Sequence, residues 1–178
     1  MRGYRWYFLI IVMFLSVAEA TSYGGSKENL QLQIPKEVQQ ELDAHIEKQK
    51  GADSCATEYK KARRFYWGDV NGDGKQDITV LYTIEGFNCG NNYNFYLAVF
   101  LNQKGRFILV ASTEVGGKSK RFVDFNSIKD GKIILDTKEY LPGDATCCPS
   151  GKGQAEYILK DNQILPVKED IKQHKGGK

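Results

Sequence analysis

The feature that most limits what this chain can fold into is a succession of short segments, rich in β-branched and aromatic residues, separated by compact turn signals between residues 77 and 167. "DITVLYTI" and "NFYLAVFLN" are followed by the turn "QKGR" and "FILVAST"; then come "RFVDFNSI", the turn "KDGK", "KIILDTKEY", "QAEYILK", the turn "DNQ" and "ILPV". Turns this short join antiparallel neighbours, because a parallel crossover needs a dozen or more residues. Ahead of them, Val38, Leu42 and Ile46 recur every four residues in "PKEVQQELDAHIEKQK", an apolar stripe on a helix that opens with Pro35 as its first residue and ends at Gly51. The pattern predicts an α+β fold, one N-terminal helix followed by a mainly antiparallel β-meander.

Residues 1–20 carry Arg2 and Arg5, the apolar run "FLIIVMFLSV" and the small-x-small triplet Ala18-Glu19-Ala20. An apolar core of about ten residues is half of what a membrane span needs, so the segment reads as a signal peptide cleaved after Ala20, and the product as a periplasmic or extracellular protein with no stable membrane insertion. Residues 21–33 then form a mobile leader, 34–168 a single domain and 169–178 a basic, flexible tail. A formal net charge of +3 gives no general argument for nucleic acid as a partner.

Export places Cys55, Cys89, Cys147 and Cys148 in an oxidising compartment, where disulfides are the expectation and brace the fold. A bridge between adjacent residues departs from ordinary disulfide geometry, so Cys55 and Cys89 are each expected to pair with one of Cys147 and Cys148, in either arrangement. Such bridges would close loops of roughly 60 and 90 residues, each worth ~4 kcal/mol in the chain-entropy view. No C-x-x-C spacing supports zinc or a dithiol catalyst.

The densest constellation of chemical groups is "WGDVNGDGKQDITVLY", in which Asp69, Asn71 and Asp73 alternate, Gly74 follows, and Asp77 comes four after Asp73. A hard cation such as calcium takes six to eight oxygen ligands, and a coiled loop turns alternate side chains inward to supply them. Asp69, Asn71, Asp73, the peptide oxygen of Lys75 and Asp77 are the candidate ligands, at loop positions 1, 3, 5, 7 and 9. An EF-hand would place a glutamate at position 12, where this chain has Val80, so Asp77 is expected to coordinate in its stead. Asn71-Gly72 and Asp73-Gly74 would also suit a plain hairpin turn, but a turn alone does not account for three mutually repelling carboxylates within nine residues.

The stretch "FYWGDVNGDGKQDITVLY" resembles the calcium loop of FG-GAP repeats, the blade unit of integrin-type β-propellers, which implies calcium on the five residues just named. One copy is present and a propeller needs several, so the propeller fold is not implied. "YLAVFLNQKGRFILVASTEVGGK", "DGKIILDTKEYLPGDATCCPSGKG" and "YILKDNQIL" are similar to small secreted bacterial proteins that combine one such loop with a Cys-Cys-Pro-Ser segment. That resemblance implies a bacterial envelope setting and brings no activity with it.

Three kinds of function fit these signals. The first is a non-enzymatic calcium-binding module recognising a protein or glycan, with an inhibitor or immunity role as a concrete form; Phe65, Tyr66, Trp67, Tyr93 and Tyr96 are candidates for its surface, against the plainer fate of core packing. A calcium-dependent hydrolase would need a base, for which Glu85, Asp144 and Glu139 are the candidates. Ser150 lacks an obvious base and reads as a turn residue. His45, one turn after Glu41, reads as a surface ion pair, and His174 lies in the tail. The third is a purely structural envelope protein.

Overall fold

The computed structural model describes residues 33–172, and side chains as far as residue 167. The segment read as a signal peptide, nearly all of the segment read as a leader and the last six residues of the expected tail lie outside the described residues. Helix α1 spans Lys36–Lys50, with Pro35 one position earlier than expected, at the N-cap, and with the Gly51 amide closing on the Lys48 carbonyl at 3.2 Å. The strands are β1 (Thr57–Glu58), β2 (Arg64–Gly68), β3 (Asp77–Glu85), β4 (Tyr93–Gln103), β5 (Arg106–Gly117), β6 (Arg121–Lys129), β7 (Lys132–Glu139), β8 (Gly151–Lys160) and β9 (Gln163–Lys172). All pairings are antiparallel, in the order β1-β3-β4-β5-β6-β7-β8-β9, with β2 also on β3. The expected α+β meander is therefore the observed fold. Strand β9 runs through Lys172, four residues into the segment read as a flexible tail, because β8 offers it a ladder from Lys160↔Gln163 to Lys152↔Lys172, broken by one register shift between Glu156 and Tyr157.

Three of the hairpins turn on two residues that both have positive φ: Lys104-Gly105, Asp130-Gly131 and Asp161-Asn162. This backbone matches the right-handed twist of the flanking strands, and these are the turns "QKGR", "KDGK" and "DNQ".

Strand β3 is buried over eight of its nine residues. One side chain parity, Ile78, Val80, Tyr82 and Ile84, packs with Tyr96, Ala98 and Phe100 of β4 under Val38, Leu42 and Ile46 of α1. From the other side of the sheet, Leu81, Leu97, Val99 and Val115 pack with Val123, Ile133, Leu135, Ala155, Tyr157 and Ile164 of the later strands. The sheet makes this possible by parting between β5 and β6, which share the one register pair Gly117↔Arg121. Strands β6–β9 fold back across the first half, where Tyr66 stacks on Phe125 at 3.6 Å and the Gly68 backbone sits against Ile128. The helix, the first half of the sheet and the second half thus form successive layers, with β3 and β4 in the middle.

The disulfides correct the expected pairing: Cys55 bonds Cys89, and Cys147 bonds Cys148. Pairing of Thr57 with Glu85 brings the segment before β1 alongside the 3-10 turn Phe87–Cys89, so the two cysteines meet at a Cα separation of 5.0 Å. Gly86 permits that approach, since with φ at 84° a Cβ there would lie 2.5 Å from the Cys55 carbonyl oxygen. Cys147 and Cys148 sit instead in the β7–β8 connection, left to each other. Bracing across a large loop therefore comes from one bridge, with a sequence separation of 34, worth about 4 kcal/mol in the chain-entropy view.

Candidate metal loop and sheet-face groove

The 69–76 segment is the connection of the β2–β3 hairpin, entered at Gly68 and left at its register partner Asp77. Positive φ at Gly72 and Gly74 coils it. Asp69 lies inside the coil: its Oδ1 accepts from the amides of Asn71, Gly72 and Asp73, at 3.3, 2.7 and 3.2 Å, and its Oδ2 from Gly74 at 2.8 Å. Asn71 Oδ1 accepts from the Asp73 amide at 3.0 Å, and Asp73 Oδ1 from the Lys75 amide at 2.9 Å. The Lys75 ammonium donates to Asp73 Oδ2 at 2.8 Å. Backbone donors, the Gly74 amide first, hold the Asp69 carboxyl below the usual range; for Asp73 the leading cause is the Lys75 ammonium.

Asp77 stands apart. It has no exposed surface, its Oδ2 accepts from the Val70 amide at 3.1 Å and its Oδ1 from the Asn102 amide at 2.9 Å. Burial pushes its proton affinity up, with further contributions from Asp73 and Asp69, and the two amides oppose the shift. Its carboxylate ties the loop to the end of β4. The structure thus joins Asp69, Asn71, Asp73 and Lys75 in one network and places Asp77 beneath it, facing the sheet. Among the described residues no three histidine, cysteine, aspartate or glutamate side chains converge as a ready-made metal centre. The donor set is all oxygen, the chemistry a hard cation takes: Asp69 Oδ1 is taken up by three amides, whereas Asp69 Oδ2, Asn71 Oδ1, Asp73 Oδ1 and both Asp77 oxygens each accept one amide and keep a further lone pair.

The other singled-out residues disperse. Glu85 ends the strand that Asp77 begins, about 26 Å away along an extended chain. Glu139 ends β7, and Val70 lies beside Gly131 at the opposite end of that strand. Asp144 organises the β7–β8 connection, accepting from the Leu141 amide and from both the amide and hydroxyl of Ser150, each at 2.8 Å. None of these three carboxylates is brought to the loop, and Ser150 serves as a turn residue. His45 is not the surface ion pair expected: its Nε2 is buried without a partner, and burial, followed by Lys48, lowers its pKa against the weaker pull of Glu41. Of the five aromatics proposed for a surface, Phe65, Trp67 and Tyr96 join the core under the helix, Tyr66 joins the core between the sheet halves, and Tyr93 packs against Phe95 and Phe122.

A concave surface missed in the sequence lies on β6–β8, a groove of about 630 Å³. Its walls are two cross-strand rows, Phe122, Lys138 and Lys152 in one, Asp124, Asp136 and Gln154 in the other. Asp136 accepts from Gln154 Nε2 at 2.9 Å and from Asn126 Nδ2 at 3.2 and 3.1 Å, and these bonds lower its pKa. Asn126 reaches it because β6 bulges between Phe125 and Ser127. Alternation of polar residues along each strand was the available signal, but the rows exist only once the register is set. The groove lies about 20 Å from the 69–77 loop, toward the other end of β6 and β7.

Among the described residues no helix is long and apolar enough to cross a membrane. Fold and disulfide define an α+β domain with a layered, mainly antiparallel sheet. Comparison with protein-family models, with curated proteins and with solved structures found no match.

Proposed function

We propose that this is an exported, non-enzymatic calcium-binding domain that recognises a protein or glycan of the bacterial envelope. The observation that carries the calcium reading is the coil of residues 69–76, in which side-chain oxygens of Asp69, Asn71 and Asp73 accept successive loop amides and at whose end the carboxylate of Asp77 is buried. Three carboxylates repel one another there, and the Lys75 ammonium offsets one charge. Calcium would be held by Asp69, Asn71, Asp73, the Lys75 carbonyl and Asp77, and would fix the hairpin where it enters the sheet. The groove on β6–β8 supports the recognition half: its volume suits a small polar ligand or a side chain of a partner, and its walls offer ammonium donors opposite carboxylate and amide acceptors.

Calorimetric titration of the oxidised protein with Ca²⁺ should show saturable heat, and EDTA should lower the melting temperature, since a ligand of the folded state stabilises by RT ln(1 + [L]/Kd). Asp73→Ala should abolish the calcium response. Asp136→Ala should keep that response while losing capture of an envelope protein or glycan. Absence of heat together with melts indifferent to EDTA would refute the calcium reading, and equal capture by Asp136→Ala would refute the groove.

A further inference from the structure

Cys147 and Cys148 are both exposed, in the 140–150 connection between β7 and β8. Their bridge spans a single peptide bond, so it removes almost none of the loop-closure freedom that makes a disulfide stabilising. The connection does not need it for shape. Asp144 gathers the Leu141 amide and the Ser150 amide and hydroxyl, the Tyr140 hydroxyl donates to the Thr146 carbonyl at 2.6 Å, and the Cys148 amide donates to the Ala145 carbonyl at 2.9 Å. Both cysteines thus stand exposed on a connection held in shape by its own hydrogen bonds.

We propose that Cys147 and Cys148 form a thiol–disulfide exchange site, a redox activity of this connection that lies beyond the non-enzymatic reading of the loop and groove and rests on it for export, and whose substrates are exported dithiols and their disulfides. A thiolate of the dithiol attacks one cysteine sulfur, the bond between Cys147 and Cys148 breaks, and the other cysteine leaves as a thiolate and is protonated. The second thiol of the substrate then attacks its own sulfur in the mixed disulfide, which releases the first cysteine and closes the substrate's disulfide. Two electrons and two protons pass from the dithiol to the cysteine pair, and the reverse sequence returns them. The Cys55–Cys89 bridge, which spans 34 residues, remains the structural one.

The test is reduction of the oxidised, native protein by dithiothreitol, with alkylation at timed intervals and peptide mass mapping. Cys147 and Cys148 should become labelled together at least tenfold faster than Cys55 and Cys89, and oxidised dithiothreitol or glutathione should close them again. The double variant Cys147→Ser/Cys148→Ser should melt with the wild type, whereas Cys55→Ser/Cys89→Ser should melt lower. Equal labelling rates, resistance of the pair to reduction in the native state, a map joining either residue to Cys55 or Cys89, or a double variant as unstable as the one lacking Cys55–Cys89 would each overturn the proposal.

Discussion

Asp77 shows what a single carboxylate decides in this protein. Both of its oxygens accept buried or half-buried backbone amides, one from the loop at Val70 and one from β4 at Asn102. Replacement by asparagine keeps the shape but turns one acceptor into a donor that faces an N–H, so Asp77→Asn should lower stability by about 1–3 kcal/mol in urea melts. Loss of a repelling charge alone would instead raise stability, so the sign of the change separates the two accounts. Asp77 was legible from its place in the 69–77 spacing, but its direction was not. Side-chain alternation puts Asp77 on a face of β3, and which groups wait at that face depends on where β4 docks.

At the scale of elements, α1 is held to the sheet by more than its apolar stripe. Arg63, following the 3-10 turn Lys60–Ala62, lies between Asp43 on the helix and Glu58 on β1, with its Nε donating to Glu58 Oε1 at 2.7 Å. The side chains of Arg63 and Glu58 are 9% and 4% exposed, so the pair is screened little by water. Burial pushes the guanidinium's pKa down, and the two carboxylates outweigh that and hold it above its ordinary value. Arg63→Met should cost about 3–5 kcal/mol by stranding the buried Glu58 charge, whereas Glu58→Gln/Arg63→Met should recover part of the loss; circular-dichroism melts distinguish them. The helix, its stripe and the three two-residue turns were readable because their causes are local: a period near four, and residues such as Gly105, Gly131 and Asn162 that tolerate positive φ. Strands β1 and β2 escaped notice because they are short, and their partners are residues of β3 rather than sequence neighbours of alternating pattern.

For the molecule as a whole, acid should be the effective denaturant. Hydrogen bonds to the folded state hold the carboxyls of Asp53, Asp69, Asp73, Asp136 and Asp144 below the ordinary value of 3.8, so each contributes stability that is present above that pH and lost as pH falls through its lowered folded value. Asp77 runs oppositely: its raised folded value favours the protonated form, so its contribution is complete below 3.8 and declines as pH rises through the raised value. The five lowered groups predict a melting temperature that falls below about pH 4, with Asp77 opposing the trend. A melting temperature unchanged between pH 5 and pH 2.5 would contradict that balance.

Local chemistry, written residue by residue, determined the helix, the strand-turn-strand rhythm, the α+β class and the coil of acids before β3. Only the tertiary structure decided which faces meet: that β3 is covered from both sides, that Phe122, Asp124, Asp136, Lys138, Lys152 and Gln154 line one groove, and that Cys55 finds Cys89. The physical reason is range. A turn or a helical stripe is set by forces between neighbours a few residues apart, whereas the pairing of two cysteines or two faces depends on where the sheet parts between β5 and β6 and folds back on itself.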